Sequence, residues 1–186
     1  MGNISITKAT AEDCSSIASI GKMSVAESHK GSSSTAIMNE FLNTYYNEEA
    51  IRKELNGIDN IYYLIKYDDI PAGFSKIVLN AGHPDIPAEN IAKLDRIYLL
   101  KQFYGLKLGL ELLNFNIRLA KNENQAGMWL YAWVGNVRAV DFYLKAGFKI
   151  IGSHNYYVTE THFDVSHHML LDFADQDRQQ GIGFHG

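Results

Sequence analysis

One stretch of the chain, from Asp95 to Phe148, holds the residues whose types and spacing best suit chemistry. An apolar run leads into a turn with two glycines, Gly105 and Gly109, and a helical pattern follows. The free N–H groups and the dipole at a helix start favour an anion, and glycine lets a bulky group approach the backbone. The turn therefore predicts a phosphate site, to which Lys107 adds a charge. The alternative is a helix start that only packs on a sheet.

A second segment, Asn136–Phe148, predicts another helix that begins behind an apolar strand. Asn136 is a good helix cap, and Tyr143 follows it by seven residues, about two turns along the same side. A tyrosine hydroxyl near the ends of two strands can donate a proton, although a packed tyrosine is the alternative. The spacing predicts that three residues face the core: Val137, Val140 and Leu144.

Over the whole chain, the pattern of apolar and polar residues predicts strands and helices that alternate. Helices are expected from Thr10 to the mid-twenties, over Asn39–Leu55, and from about Leu106–Gly109 to Lys121. The last of these follows a stripe of Leu106, Leu110, Leu113, Ile117 and Ala120. Strands are expected over Ile4–Thr7, Ile61–Tyr67, Ala72–Leu79, Leu94–Leu100, Met128–Val134, Lys149–Gly152 and Met169–Phe173. This order predicts an α/β protein with a mixed sheet and helices on both faces.

Length and composition narrow the class of protein. The 186 residues suit a single domain, expected over 1–173, with a mobile or docking tail over 174–186 that allows a homodimer. A net charge of −4 argues against non-specific nucleic-acid binding. No apolar run is long enough to span a membrane, and a single cysteine, Cys14, fits a reducing compartment. We expect a cytoplasmic protein.

The two segments together resemble the acetyl-CoA-dependent N-acetyltransferase (GNAT) superfamily over residues 93–150. Within it, Asp95–Lys101 and Val165–Leu171 look most like bacterial polyamine acetyltransferases of the PaiA type. The resemblance implies the acyl-CoA N-acyltransferase fold, a mostly antiparallel central sheet of about six to seven strands flanked by helices on both faces. It also implies transfer of an acetyl group from acetyl-CoA, as co-substrate and without a metal, to a primary amine by direct attack in a ternary complex.

The resemblance further implies roles for individual positions. Backbone groups of Ile97, Tyr98 and Leu99 would pair with the pantetheine arm like an extra strand. Asn136 would contact the cofactor, and Tyr143 would protonate or hydrogen-bond the departing thiolate, whose ordinary pKa is about 8.5. The amides that would cradle the pyrophosphate belong to Tyr104, Gly105, Leu106, Lys107, Leu108, Gly109 and Leu110.

The turn departs from the family pattern at two positions. Tyr104 stands where Arg or Gln is usual, and Lys107 stands where the family has its middle glycine. Most donors there are backbone N–H groups, so Tyr104 is tolerated. Lys107 is less favourable than glycine for the backbone conformation of the loop, but its side chain adds a positive charge that can meet a phosphate. Altered cofactor affinity is one expectation.

The acceptor amine must lose its proton before it attacks. Asp95 is a candidate base, directly or through water; a salt-bridged Asp95, with water alone taking the proton, is the alternative. On a regular strand Asp95 shares a face with Ile97, opposite Arg96 and Tyr98.

The acceptor itself is left open: a polyamine, another small amine or a protein amine. Two tyrosine pairs, Tyr45–Tyr46 and Tyr62–Tyr63, are candidates for its pocket, although amphipathic packing explains them too. Adjacent His167 and His168 point to opposite faces of a strand, so the C-terminal histidines predict no metal site. A non-catalytic acyl-CoA-binding regulatory module on the same fold is the alternative function.

Overall fold

The fold is built on one seven-stranded mixed sheet. The computed structural model describes residues 2–160 and 162–176. The strands are β1 (Ile4–Lys8), β2 (Ile61–Tyr67), β3 (Ile70–Val78), β4 (Ala92–Leu99), β5 (Gly127–Trp133), β6 (Lys149–Tyr157) and β7 (Phe163–Asp172). They lie in the order β1-β2-β3-β4-β5-β7-β6, and only the β4–β5 pair is parallel. The predicted mixed, mostly antiparallel sheet is confirmed.

Helices cover both faces of this sheet, as predicted. They are α1 (Cys14–Ser28), α2 (Thr35–Tyr45), α3 (Glu48–Leu55), α4 (Leu108–Asn122) and α5 (Val137–Lys145). On one face, Ile17 of α1, Leu42 of α2 and Ile51 of α3 pack in one core with residues of β2 and β3. On the other face, α4 and α5 pack against β3, β4, β5 and β7 in a second core.

Polar residues set the helix boundaries on the first face. Thr10 and Asp13 form the expected capping box before α1: the Thr10 side chain accepts from the Glu12 N–H, and Asp13 accepts from the Thr10 N–H. The single helix expected over Asn39–Leu55 is wrong. Asn47 divides it, because its Oδ1 accepts from the Ala50 N–H at 2.8 Å and starts a new helix there.

The predicted apolar stripes of α4 and α5 are partly wrong. Leu106 and Leu110 are 41% and 40% exposed, and Val137 and Leu144 are 63% and 44% exposed. The rest of the two stripes is buried as predicted: Leu113, Ile117 and Ala120 in α4 and Val140 in α5. The exposed Leu110 and Val137 line a cleft instead.

The last two strands extend beyond the predicted ones, which ended at Gly152 and began at Met169. β6 is a sheet edge with every residue exposed, so it lacks the apolar alternation that marks a strand in sequence. Asp175, just after β7, pairs with Lys149 at 3.0 Å. The rest of the expected mobile tail, 177–186, lies outside the described residues. Within the described part of the chain, no helix is both long and apolar enough to cross a membrane.

Candidate active site

A cleft opens where the two parallel strands separate. β4 and β5 pair only at Ala92–Met128 and Lys93–Trp129. Beyond that point Ile97, Tyr98 and Leu99 pair with β3 on one edge, and their other edge faces the cleft without a strand partner. An extended group can therefore add to β4 as a strand would. The cleft encloses about 900 Å³, and residues of α1, α4 and α5 line it with the two strands.

The glycine turn lies at the mouth of this cleft and leads into α4. Gly105 has φ of 84°, and Lys107 takes the left-handed conformation with φ of 61°. Lys107 thus adopts a backbone conformation that favours glycine, which costs a non-glycine residue about 1–2 kcal/mol. The N–H groups of Leu108, Gly109 and Leu110 form the first turn of α4 and have no partner in that helix. These free donors suit a phosphate group.

The guanidinium group of Arg138 lies beside Tyr104, the first residue of the turn. Arg138 in α5 lies over the Tyr104 ring, with Cζ 3.6 Å from the ring centroid, and both residues line the cleft. Tyr104 stands where the family usually has Arg or Gln, so a neighbouring helix supplies a cation beside this position. Asn136, also in the cleft wall, caps α5 by accepting from the Ala139 N–H at 3.1 Å.

Tyr143 is a buried tyrosine in the wall of the cleft. The ring is 8% exposed, lies 5.6 Å from the Phe148 ring, and forms part of the cleft wall. Burial raises the pKa of its hydroxyl well above the ordinary value, and Tyr98 adds to this. The hydroxyl therefore stays protonated at neutral pH and can act as a donor.

Asp95 lies at a β-bulge, which the sequence pattern did not reveal. Lys76 pairs with Arg96 and the next residue of β3 pairs with Leu94, so Asp95 has no partner of its own. The bulge turns the Asp95 carboxylate toward Lys76 and Arg96, with distances of 3.1 Å to Lys76 Nζ and 3.9 Å to Arg96 Nε. The expectation that Asp95 lies opposite Arg96 is therefore wrong.

Ion pairs hold the Asp95 carboxylate. Its Oδ1 lies 2.6 Å from Lys93 Nζ, and its Oδ2 lies 3.1 Å from Lys76 Nζ. Burial opposes ionisation, but the two ammonium groups outweigh it and lower the pKa to about 2. Such a carboxylate holds a proton poorly and is a weak base at neutral pH. The structure favours the salt-bridged alternative.

The same network extends to α3 through a second carboxylate. Glu54 Oε2 lies 2.6 Å from Lys76 Nζ and accepts from the Tyr62 hydroxyl at 2.7 Å, while Oε1 lies 3.0 Å from Arg96 Nη2. Arg96 in turn lies over the Tyr46 ring, 5.1 Å from its centroid. The buried charges thus fix the position of Tyr46.

A second cavity of about 230 Å³ adjoins the cleft. Residues that line both spaces are His29, Asp95, Arg96, Tyr98, Tyr131 and Trp133. Further aromatic rings complete the second cavity: Phe41, Tyr45, Tyr46 and Tyr156. Asp164 adds a carboxylate whose side chain is 11% exposed. Lys93 and Arg96 also line this cavity, but they pair with Asp95 and Glu54 at 2.6 and 3.0 Å, so Asp164 and the aromatic faces suit a cation. We call this space the aromatic cavity.

His29 borders both spaces, and sequence reasoning missed it. Its ring stacks on Trp133 with centroids 5.4 Å apart, and its Nδ1 lies 2.9 Å from Ser28 Oγ. Burial lowers the pKa of His29, although Asp164 opposes the shift. The neutral imidazole can accept a proton at neutral pH. No motif marks His29, because only the fold brings the end of α1 to the end of β5.

Comparison with known proteins decides the family. Residues 34–148, more than half of the chain, match the acetyltransferase (GNAT) family. The chain belongs to the acetyltransferase (GNAT) family. It is an acetyl-CoA-dependent N-acetyltransferase, with acetyl-CoA as co-substrate, and the family's reaction needs no metal. The resemblance inferred from Asn136–Phe148 and the glycine turn is confirmed.

Individual relatives agree with this membership. An uncharacterized N-acetyltransferase in the pepI 3′ region of Lactobacillus delbrueckii subsp. lactis is 25% identical over 154 residues, which are 83% of this chain and 89% of the relative. The PaiA N-acetyltransferase of Thermoplasma acidophilum in complex with coenzyme A superposes with a TM-score of 0.73 at 21% identity, covering 91% of this chain and 99% of that one. The ribosomal-protein-S18-alanine N-acetyltransferase of Escherichia coli superposes with a TM-score of 0.66 at 19% identity, covering 91% of this chain and 94% of that one.

Proposed function

We propose that this acetyltransferase transfers the acetyl group of acetyl-CoA to the primary amine of a small cationic acceptor, a polyamine or a similar amine. The main observation in support is the aromatic cavity, which shares a wall with the cleft and is lined by aromatic rings and by the carboxylate of Asp164. A volume of about 230 Å³ is large enough for a small amine. The acceptor attacks directly in a ternary complex, so proximity supplies much of the rate.

Acetyl-CoA supplies the thioester that this reaction consumes. In our proposal the free edge of Ile97, Tyr98 and Leu99 pairs with its pantetheine arm. The turn from Tyr104 to Leu110 cradles its pyrophosphate, and Asn136 contacts it. The shape of the cleft and the free N–H groups at the start of α4 support this binding mode.

Tyr143 acts as the proton donor in this proposal. Tyr143 lines the cleft, and its hydroxyl stays protonated because burial raises its pKa. A donor at the sulfur eases departure of a thiolate.

His29 takes the proton of the acceptor amine, directly or through water. It borders both the cleft and the aromatic cavity, and burial lowers its pKa below the ordinary value. Asp95 is the less suitable base, because Lys93 and Lys76 lower its pKa to about 2 despite its burial. Asp95 instead anchors the wall that the two spaces share.

The test is a panel of polyamines, monoamines and short peptides, incubated with acetyl-CoA and followed by thiol release and mass detection. We expect acetylated polyamines or similar small amines. The Asp164→Asn variant should raise the KM for cationic amines, whereas Asp141→Asn, on the exposed side of α5, should not. Acetylation of peptides alone would favour a protein acceptor, and acetyl-CoA binding without any acetylated product would favour the regulatory module. The expected homodimer and cytoplasmic location stay predictions.

A further inference from the structure

The loop between β3 and β4 folds back over β5 and is held there. Trp129 Nε1 donates to the Ala81 carbonyl at 2.7 Å, and Ile86 packs in a small core with Ile91 and Trp129. The loop is therefore fixed relative to the sheet before any ligand arrives. Its position brings His83 and Asp85 to His168, which lies on β7 more than 80 residues later.

These three side chains converge from two elements. The Asp85 Oδ2 lies 3.7 Å from His83 Nδ1 and 3.9 Å from His168 Nδ1, and the two imidazole rings have centroids 4.2 Å apart. One ligand atom from each residue lies within 4.8 Å of the others. Ligand atoms about 2 Å from a tetrahedral zinc ion stand about 3.4 Å apart. The separations in the cluster, from 3.7 Å to at most 4.8 Å, exceed this spacing by about 0.3 to 1.4 Å, so binding an ion requires the side chains to rotate toward one another.

The hydrogen bonds of the cluster show which nitrogen of each histidine can bind a cation. The Asp85 N–H donates to His83 Nδ1 at 3.2 Å, so the other nitrogen, Nε2, carries the ring proton and donates to the Tyr131 hydroxyl at 2.8 Å. The bond from Asp85 is long and lies at the surface, so a metal ion displaces it at little cost. The His168 side chain is 2% exposed, and its Nε2 is buried without a hydrogen-bond partner among the described residues. The ligand atom of His168 is its other nitrogen, Nδ1, which lies 3.9 Å from Asp85 Oδ2.

We propose that His83, Asp85 and His168 form a binding site for one divalent ion of the zinc class. Two imidazoles and one carboxylate are donors that zinc accepts, and the 69% exposed Asp85 leaves an entry path and an open coordination position. The ion takes no part in acetyl transfer, which needs no metal in this family. It joins the β3–β4 loop to β7.

The ion would also fix one wall of the active site. The Tyr131 hydroxyl is bonded to His83, and Tyr131 lines both the cleft and the aromatic cavity. A histidine that binds a metal through one nitrogen is held by the partner of its other nitrogen, and here that partner is Tyr131.

The test is calorimetric titration of zinc into the full-length, untagged protein after treatment with a chelator. We expect one ion per chain and a melting temperature that rises with zinc. Asp85→Asn should weaken zinc binding by at least about tenfold, as should His83→Gln. Because Asp85 is exposed, its variant should fold, and a melting curve without zinc checks this. Cobalt should give the visible absorption of a nitrogen- and oxygen-bound ion in the wild type, and this absorption should be much weaker in Asp85→Asn and His83→Gln.

Two controls separate this site from general binding to surface groups. Glu89→Gln removes an exposed carboxylate from the same loop, and His167→Gln removes the histidine next to His168 on the opposite face of β7. Both should bind zinc like the wild type. The proposal is overturned if the wild type does not bind zinc, if Asp85→Asn binds it as tightly, or if the controls lose it equally.

Discussion

At the scale of single residues, the site depends on which ionisable groups are neutral and which are paired. Asp95 is ionised and held between Lys93 and Lys76, whereas His29 is neutral at neutral pH because burial lowers its pKa. A proton acceptor must lie near the reacting amine and must not be held ionised by neighbouring cations. His29 meets the second condition better than Asp95 does. The ion pairs of Asp95 make it a structural residue.

His29→Gln should lower kcat/KM about 100-fold at neutral pH, because a positioned base contributes at least about that much. Wild-type activity should fall as the pH drops through the lowered pKa of His29, and this acidic limb should vanish in the variant. A pH profile of thiol release checks both effects. His167→Gln is the matched control and should behave as the wild type. An unchanged rate and profile in His29→Gln would exclude His29 as the base.

Asp95→Asn should lower the free energy of unfolding by about 2 kcal/mol at neutral pH. The folded-state pKa of about 2 lies below the ordinary 3.8, so the wild-type stabilisation is present above about pH 4 and is lost as pH falls through about 2. The variant should lack this part of the acid dependence. Urea unfolding between pH 7 and 2 measures it, with the exposed Asp59→Asn as control. Equal stability of Asp95→Asn and the wild type would contradict the ion-pair account.

At the scale of elements, the turn before α4 combines strain with charge. Lys107 has φ of 61°, where glycine is favoured. Lys107→Gly should therefore stabilise the protein by about 1 kcal/mol and weaken acetyl-CoA binding severalfold, because the charge near the phosphates is lost. Lys107→Ala is the matched control, since it loses the charge and keeps the strain. Thermal unfolding and calorimetric titration separate the two effects. A more stable Lys107→Gly that binds acetyl-CoA as tightly would show that the charge has no role.

Local spacing predicted those elements whose signal lies in neighbouring residues. The start of α4, the capping box at Thr10 and the cap at Asn136 all depend on residues within a few positions. The β-bulge at Asp95 was not predicted, because it depends on the pairing of β4 with β3 and has no glycine to mark it. The break at Asn47 was not predicted, because an asparagine inside a helical pattern is equally consistent with a surface residue of one continuous helix.

At the scale of the whole molecule, the separation of β4 from β5 divides the sheet and opens the cleft between its halves. Contacts across long sequence distances complete the site: His29 meets Trp133, and Asp164 shares a cavity with Tyr46. Composition and periodicity carry no information on such pairs. The family and the cofactor were predictable from a local motif, whereas the aromatic cavity and the His83–His168 cluster required the fold.

In the proposed reaction, acetyl transfer to an amine takes place in this cleft with Tyr143 as the proton donor. The most direct measurement is the rate of thiol release and of acetylated amine for wild type, Tyr143→Phe and the exposed control Tyr157→Phe, together with the affinity of each for acetyl-CoA. We predict that Tyr143→Phe binds acetyl-CoA normally and that its kcat decreases by at least about 100-fold. Tyr157→Phe should match the wild type. A Tyr143→Phe variant with wild-type kcat would contradict the account.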